Sequence, residues 1–442
     1  MKYPTLVEEI RDEITLVERR ELKTYYSLYG RLLSLELLHK AYKHVRRANG
    51  APGIDNRTIK DFGSNLDSEL SSLLIELKEK SYKPLPVKRV MIDKPDGGKR
   101  KLGIPTVRDR VVQQAVRELI EPIFDVDFHP SSYGYRKGRS CHHAISKAQL
   151  FIRKYKRKWV VDMDLSKCFD LLDHEIIIAQ LRVKITDGSI LNLIRLFLES
   201  GVMVSGQYES TGLGSPQGGV ISPLIANIYL DKFDQFMMGR NHRIVRFADD
   251  ILILCGSEKA AVNAQKVAEK YLVEDMKLEV NRTKTHIAHS SRGVKFLGVV
   301  IFTGYTKIQE KKLIAFKEKV KKFTRKTGGK NLATVVKHLN PILRGFAYYF
   351  RIANCKKVLG KLMGWVRRRL RAVQLFLWKR PARLHRRLRQ LGYHGEFKYI
   401  GMRRWRNSAS PLANMAVTNK WLMEELNLFD MGKLDTGFTS LL

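Results

Sequence analysis

Three aspartates in this chain have the types and spacing to act together on a phosphate. Asp249 and Asp250 stand side by side in "VRFADDILILC", residues 245–255, between two runs of apolar, largely β-branched residues. Asp164 lies near the end of another strand-like run, "VVDMDL", 85 positions before Asp249. Loop tips favour Asp for turn reasons alone, so the pair by itself is compatible with a plain turn. The third carboxylate changes the reading. If the two strands are neighbours, three carboxylates meet at one sheet edge and can share two Mg2+ ions. Such ions, roughly 3.5–4 Å apart, activate an attacking oxygen, stabilise a leaving oxygen and clamp a phosphate for in-line displacement. Mg2+ favours carboxylates plus substrate phosphate oxygens over an all-protein cage, which suits an open hairpin tip.

Those carboxylates need strands beneath them, and the periodicity supplies candidates. Trp159 to Met163 alternates like a buried strand running into a helix near Phe169, and "SEKAAVNAQKVAEKYLVED" has a Ser cap and apolar positions Ala264, Val267, Ala268, Tyr271 and Leu272, a helix packed on the sheet that carries Asp249. Upstream, the stretch to about Gly30 reads as an amphipathic helix, and "LLSLELLHKAYKHVRRANGAPGID" as a helix ended by Gly50 and turned by Pro52-Gly53. From Leu85, "LPVKRVMIDKPDGGKRKLGIP" places a Pro-Asp-Gly-Gly turn between two strand-like arms, a basic hairpin, and "RDRVVQQAVRELIEPIF" follows as a helix. "VKFLGVVIF" reads as one further strand. Beyond about Tyr305 the strand signal fades. One helix carries Leu313, Phe316, Val320 and Phe323, a second Leu332, Val335, Val336, Leu339, Leu343 and Phe346, and a third Val358, Leu362, Trp365 and Leu370.

Charge narrows the partner. The chain has 442 residues, with 81 Lys plus Arg against 44 Asp plus Glu and a formal net charge of +37, an excess that destabilises a fold by self-repulsion unless a polyanion is bound. Nucleic acid is the partner this favours over an acidic membrane surface, because no apolar run reaches the roughly 18 residues of a span. The amino terminus lacks a signal peptide's apolar stretch, so a soluble, cytoplasmic protein is expected. Cys141, Cys168, Cys255 and Cys355 stand far apart with no CxxC pair, which indicates neither zinc nor a disulfide framework. Lys321, Lys322, Arg325, Lys326 and the run Arg367-Arg368-Arg369 lie on the outward faces of the basic helices. On an isolated helix such charges are a solvated face. Here the one-sided excess favours a nucleic-acid-binding surface.

Together these segments resemble the reverse transcriptases of bacterial group II introns. Phe-Ala-Asp-Asp resembles the aromatic-x-Asp-Asp box, and "DLSKCFD" the first catalytic segment of the same palm domain. "GLGSPQGGVISPLIANIYLD" is similar to the Pro-Gln-Gly and Ser-Pro-Leu-x-Ala-Asn region, and "NGAPGID", "KRKLGIPTVRDRVVQQAV" and "SYGYRKGRSCHHAI" to the amino-terminal and finger segments. "LNPILRGFAYYF" and "RRWRNSASPLANMAV" resemble the maturase region, or domain X. A lone x-Asp-Asp is uninformative, whereas these segments in this order are specific.

The resemblance implies an α+β fold: a right-hand polymerase, with fingers and a palm bearing an antiparallel sheet, followed by a helical, basic thumb and maturase region. It divides the chain into an N-terminal helical extension (1–30), fingers and palm (31–304), thumb with domain X (305–380) and the rest of the maturase region (381–442). Asp164, Asp249 and Asp250 would hold two Mg2+ ions, with the carbonyl of Leu165 as an extra ligand. Phe169 would sit beneath the sugar of the incoming nucleotide and exclude a 2′-hydroxyl. Lys94 and Arg100 would grip the triphosphate, Gln217 would contact the nucleotide where Gly218 and Gly219 let backbone approach the template, and Lys284 would protonate or stabilise the leaving pyrophosphate. Solvated finger charges and an ordinary loop are the plain alternatives for these.

The partners implied are an RNA template, a DNA primer, dNTPs and group II intron RNA, in an RNA-directed DNA polymerase that assists splicing and retrohoming. The oligomeric state stays open between monomer and dimer. Phe247 stands where the family box usually begins with Tyr, so only that ring's packing is expected to survive. No Cys/His endonuclease cluster follows the maturase segments, and no DNA cleavage is expected. A domesticated relative serving DNA repair or phage defence without an intron is the competing reading.

Overall fold

The computed structural model describes residues 24–93, 97–204, 207–210, 212–215, 218–325, 329, 331–393 and 406–437. The expected helix before Gly30, and Lys94, Gln217 and Lys326, lie wholly or mainly outside these. The chain divides into two compact units between His289 and Ser290.

The first unit mixes helices with two sheets. A basic hairpin forms from strands β1 (Val87–Asp93) and β2 (Lys99–Ile104), paired antiparallel with Ile92 opposite Arg100. β1 also pairs parallel with β4 (Val202–Val204), which turns back as β5 (Gln207–Glu209), giving the order β2-β1-β4-β5. The second sheet is built around β3 (Trp159–Ser166). On one side of it lie β7 (Asp250–Cys255) and then β6 (Arg243–Phe247). On the other, β9 (His286–His289) pairs with the first half of β3 and β8 (Glu279–Val280) with its last residues.

β3 alternates as its sequence demands: Val161, Met163 and Leu165 are buried, while Asp162 and Asp164 share the other face. Three helices close the core: Cys141–Arg153 packs on β6 and β7, Glu258–Lys270 on β3 and β7, and Ser222–Gly239 on β6. Ser257 caps the second of these by accepting from the Ala260 N–H, as its sequence position predicts.

The second unit begins with a small antiparallel sheet, β10 (Val294–Phe296), β11 (Val299–Ile301) and β12 (Thr306–Ile308). Two sequence expectations are corrected here. "VKFLGVVIF" is a tight hairpin of two strands rather than one, because Leu297 and Gly298 take left-handed φ values of +43° and +83°. The strand signal also continues past Tyr305 into β12. The division at His289 puts β10 and β11 in the second unit, whereas the sequence reading places them before 304.

The three basic helices follow as Glu310–Phe323, Leu332–Phe350 and Lys356–Trp378. Phe316, Val320, Leu339, Leu343, Leu362 and Leu370 are buried as expected. Phe323 and Val358, assigned to the inner faces, are instead 40% and 37% exposed, each near a helix end, with Phe323 stacked on His338 at 6.5 Å. A satellite core of Leu375, Leu384, Leu388, Ala413 and Ala416 ties the helices Pro381–Gln390 and Pro411–Ala416 to the third helix. Three cysteines are buried and Cys141 is partly so, and all four are free thiols.

Candidate active site

The register of β3 and β7 brings two of the carboxylates together. Asp164 is the direct cross-strand partner of Asp250, and Phe247 of β6 faces Asp250 from the other side. Asp249 sits in the two-residue turn between β6 and β7. That turn needs a left-handed residue, and Ala248 provides it at φ +58°, a strained conformation for anything but glycine.

Three buried side chains hold the turn. Arg246 is fully buried on β6 and donates from Nε and Nη2 to the Asp234 carboxylate (2.6–2.9 Å), and from Nη1 to Asn227 Oδ1 at 3.0 Å and to the Ala248 carbonyl at 3.1 Å. Asn227 in turn donates to the Gly134 carbonyl at 2.8 Å. The loop 131–134 lies directly against the turn: Tyr133 N–H donates to the Arg246 carbonyl at 2.9 Å, and a Cβ on Gly134 would come within 2.3 Å of the Ala248 nitrogen.

Repulsion is visible in the proton affinities. Asp250 is exposed as a residue, yet the protein packed around its carboxyl desolvates that group, and this desolvation, joined by the charges of Asp249, Asp162 and Asp164, pushes it up to about 7. Asp249 is raised too, chiefly by burial and then by Asp164, with Arg100 and Arg246 opposing. Asp164 has found one donor and one cation: its Oδ2 accepts from Asn281 Nδ2 at 3.1 Å and lies 3.3 Å from Lys284 Nζ. Among the described residues no three His, Cys, Asp or Glu side chains form a ready-made metal cage. An open cluster with uncompensated negative charge is nonetheless what a divalent ion completed by water and substrate phosphate requires, so these residues fit Mg2+.

The other expected residues are distributed as follows. Arg100 of the basic hairpin acts electrostatically on both Asp249 and Tyr135, which places it at the cluster. Phe169 is 8% exposed in a 3-10 turn after β3, and its carbonyl accepts from Ser215 N–H at 2.8 Å. Leu165 is buried, its backbone paired with Val280 of β8. Gly218 does serve a close approach, but to protein: at φ +118°, a Cβ there would meet the Gly103 carbonyl of β2 at 2.2 Å. The neighbour that requires glycine at this position is the chain's own strand β2.

In the second unit, Arg368, Lys322 and Arg325 are exposed, and Lys321 pairs with Glu318 at 2.6 Å. Arg367 and Arg369 have internal partners instead. Arg367 lies 3.6 Å from Asp430, and Arg369 donates to Thr324 Oγ1 at 2.6 Å and to the Thr324 carbonyl at 3.1 Å.

Sequence reasoning missed four features of the site. Tyr135, at a left-handed φ of +60°, meets Phe169 edge to face at 6.4 Å, and burial and the charges of Asp249 and Asp250 raise its phenol. Asp162 was legible as the period-two neighbour of Asp164 on β3. The Arg246–Asp234–Asn227 network and Asn281 left no local signal, since each acts on a residue distant in sequence or across a turn.

Two family models match the chain: "reverse transcriptase (RNA-dependent DNA polymerase)" over residues 92–301, and "group II intron, maturase-specific domain" over 313–392. Protein YkfC of Escherichia coli (strain K12) is 34% identical over 302 residues, covering 60% of this chain and 79% of that one. The group II intron-encoded protein LtrA of Lactococcus lactis subsp. cremoris is 29% identical over 344 residues, covering 62% of this chain and 56% of its own length. Among solved structures, apo telomerase from Candida tropicalis, truncated from its C-terminal domain, is 16% identical with a TM-score of 0.40. It covers 54% of this chain and 59% of that one, a likeness too distant to add to these.

Proposed function

The chain belongs to the family of group II intron reverse transcriptases and maturases, and from that membership we propose that the carboxylate end of β3 and β7 is its polymerase site and that its basic helical unit holds intron RNA. The protein is an RNA-directed DNA polymerase. The observation that carries the site assignment is the register: Asp164 opposite Asp250, with Asp249 in the adjoining turn and Arg100 acting on it. On this reading residues 31–304 are fingers and palm, 305–380 the thumb with domain X, and 381–442 the remainder of the maturase region. The splicing and retrohoming roles, and the dNTP, primer and intron RNA as partners, belong to the same proposal.

In the reaction, the 3′-hydroxyl of a DNA primer attacks the α-phosphorus of a dNTP and pyrophosphate leaves. Asp164, Asp249 and Asp250, with the Leu165 carbonyl, would hold two Mg2+ ions, which supply Lewis-acid stabilisation of the attacking and leaving oxygens. Arg100 offers a planar fork to the triphosphate. Lys284, seated at Asp164, can release that ion pair and turn its ammonium to the departing pyrophosphate. Phe169, backed by Tyr135, forms the wall that a 2′-hydroxyl would strike.

The test is extension of a DNA primer on an RNA template with Mg2+. Asp249→Asn is expected to abolish extension while RNA affinity, measured on the same preparation, stays near wild type. Extension at close to the wild-type rate would remove the metal assignment.

A further inference from the structure

The polymerase chemistry leaves one wall of the helix Lys356–Trp378 without a role. Lys361, Gly364, Trp365, Arg368 and Arg371 recur on it at spacings of three or one, so they share a face over about three turns. Ser408, Ala409 and Asn414 stand across from them, and a cavity of about 400 Å³ lies between. That volume is within the span of sites that hold small organic groups, about 300–1,000 Å³. A Cβ on Gly364 would meet nothing within 4 Å, so the space opens where a side chain would otherwise stand.

The lining combines fixed and available positive charge with an aromatic ring. Arg371 is buried and already committed: its Nε donates to the Val417 carbonyl at 2.9 Å and its Nη2 to Asn419 Oδ1 at 2.7 Å. Lys361 and Arg368 are exposed and have no protein acceptor among the described residues. Among the described residues that line the cavity none is a carboxylate. Trp365 is half-buried, and the guanidinium of Arg369, itself anchored on Thr324, stands 5.5 Å from the ring centroid and holds its plane. Ser408 and Asn414 add hydrogen-bonding groups at the opposite wall.

A phosphate backbone alone needs only a basic face, whereas a half-open recess beside an indole suits a base taken out of its stack. We propose that this cavity receives one unpaired nucleotide of an RNA strand, its base against Trp365 and its phosphates on Lys361 and Arg368. The inference rests on the reading that the helical unit holds RNA. A free nucleotide shares the chemistry. The strand is favoured because both available cations are exposed to solvent, where a continuing backbone can run.

The full-length protein is titrated with two labelled RNAs of equal charge, a hairpin with an unpaired adenosine loop and a fully paired duplex. Trp365→Ala is expected to lose roughly 5- to 150-fold in affinity for the loop RNA, the range for one base on an aromatic ring, with duplex affinity changed less than about twofold. Trp365→Phe should restore most of the loss. Lys361→Gln with Arg368→Gln, which removes no packed ring, should weaken loop binding and flatten its dependence of log K on log salt by about 0.7 per phosphate lost. Retention of the loop preference in both the Trp365→Ala and the double variant overturns the proposal. So does saturation of the cavity by AMP at micromolar concentration in a protein that binds loop and duplex alike. Failure of the wild-type chain to bind either RNA would instead overturn the reading of the helical unit.

Discussion

At Asp250 function and stability are opposed. Its carboxyl is held at about 7 in the folded protein, against an ordinary value of 3.8. A raised carboxylate means that the folded chain binds the proton more tightly than the unfolded one, so stability falls as pH climbs from about 4 to about 7, and the deficit is complete above that. In the absence of divalent ions, Asp250→Asn should therefore raise Tm at pH 8 and leave it unchanged near pH 4. Mg2+ should raise the wild-type Tm at pH 8, and EDTA should reverse it. A Tm difference independent of pH would show that carboxylate repulsion is not its cause. Phe169 permits a second residue-scale test. Its ring is buried beside Tyr135, so Phe169→Val is used rather than the more destabilising Ala. The ratio of kcat/KM for dNTP over rNTP should shrink by about tenfold or more once the wall is trimmed, whatever happens to the absolute rate. An unchanged ratio would assign the gate to another side chain.

The β6–β7 hairpin shows how an element makes those residues usable. A two-residue turn with Ala at a left-handed φ carries two aspartates toward a third, and the strained Ala and the clustered carboxylates each oppose folding. What offsets them is Arg246, whose guanidinium neutralises buried Asp234 and also braces the Ala248 carbonyl. Removing one member of a buried ion pair leaves the other unpaired, so Arg246→Ala should cost roughly 3–5 kcal/mol in denaturant unfolding and abolish primer extension. Arg246→Met with Asp234→Leu should recover most of the stability, since neither charge is then stranded. Extension should remain lost because the turn has no brace. Wild-type extension by the double variant would show that the hairpin holds its shape unaided.

Across the whole molecule the net charge of +37 predicts binding that weakens steeply with salt, but the structure decides which cations contribute. Of Arg367, Arg368 and Arg369, only the middle one is exposed. Arg368→Gln should flatten the slope of log K for RNA against log salt by about 0.7–0.9. Arg367→Gln and Arg369→Gln should leave the slope nearly unchanged and lower Tm instead, through loss of the Asp430 and Thr324 contacts. Equal slope changes for all three would mean that these internal pairs open when RNA binds.

The sequence by itself determined the strands beneath the aspartates, the caps and stripes of the main helices, and the order of family segments, because each is written in residues close together along the chain. Period-two alternation places Asp164 on an open face of β3, and Ser257 caps its helix whatever lies elsewhere. Only the tertiary structure decided that Asp164 faces Asp250, that Tyr135 backs Phe169, that Gly218 is spent on Gly103, and that Arg367 and Arg369 turn inward. The same locality explains the misreading of "VKFLGVVIF", where an apolar run conceals a turn that Gly298 makes possible. Strand register, and the partner that a buried or half-buried charge selects, depend on groups tens to hundreds of positions away, and no local pattern of hydrophobicity or propensity encodes them.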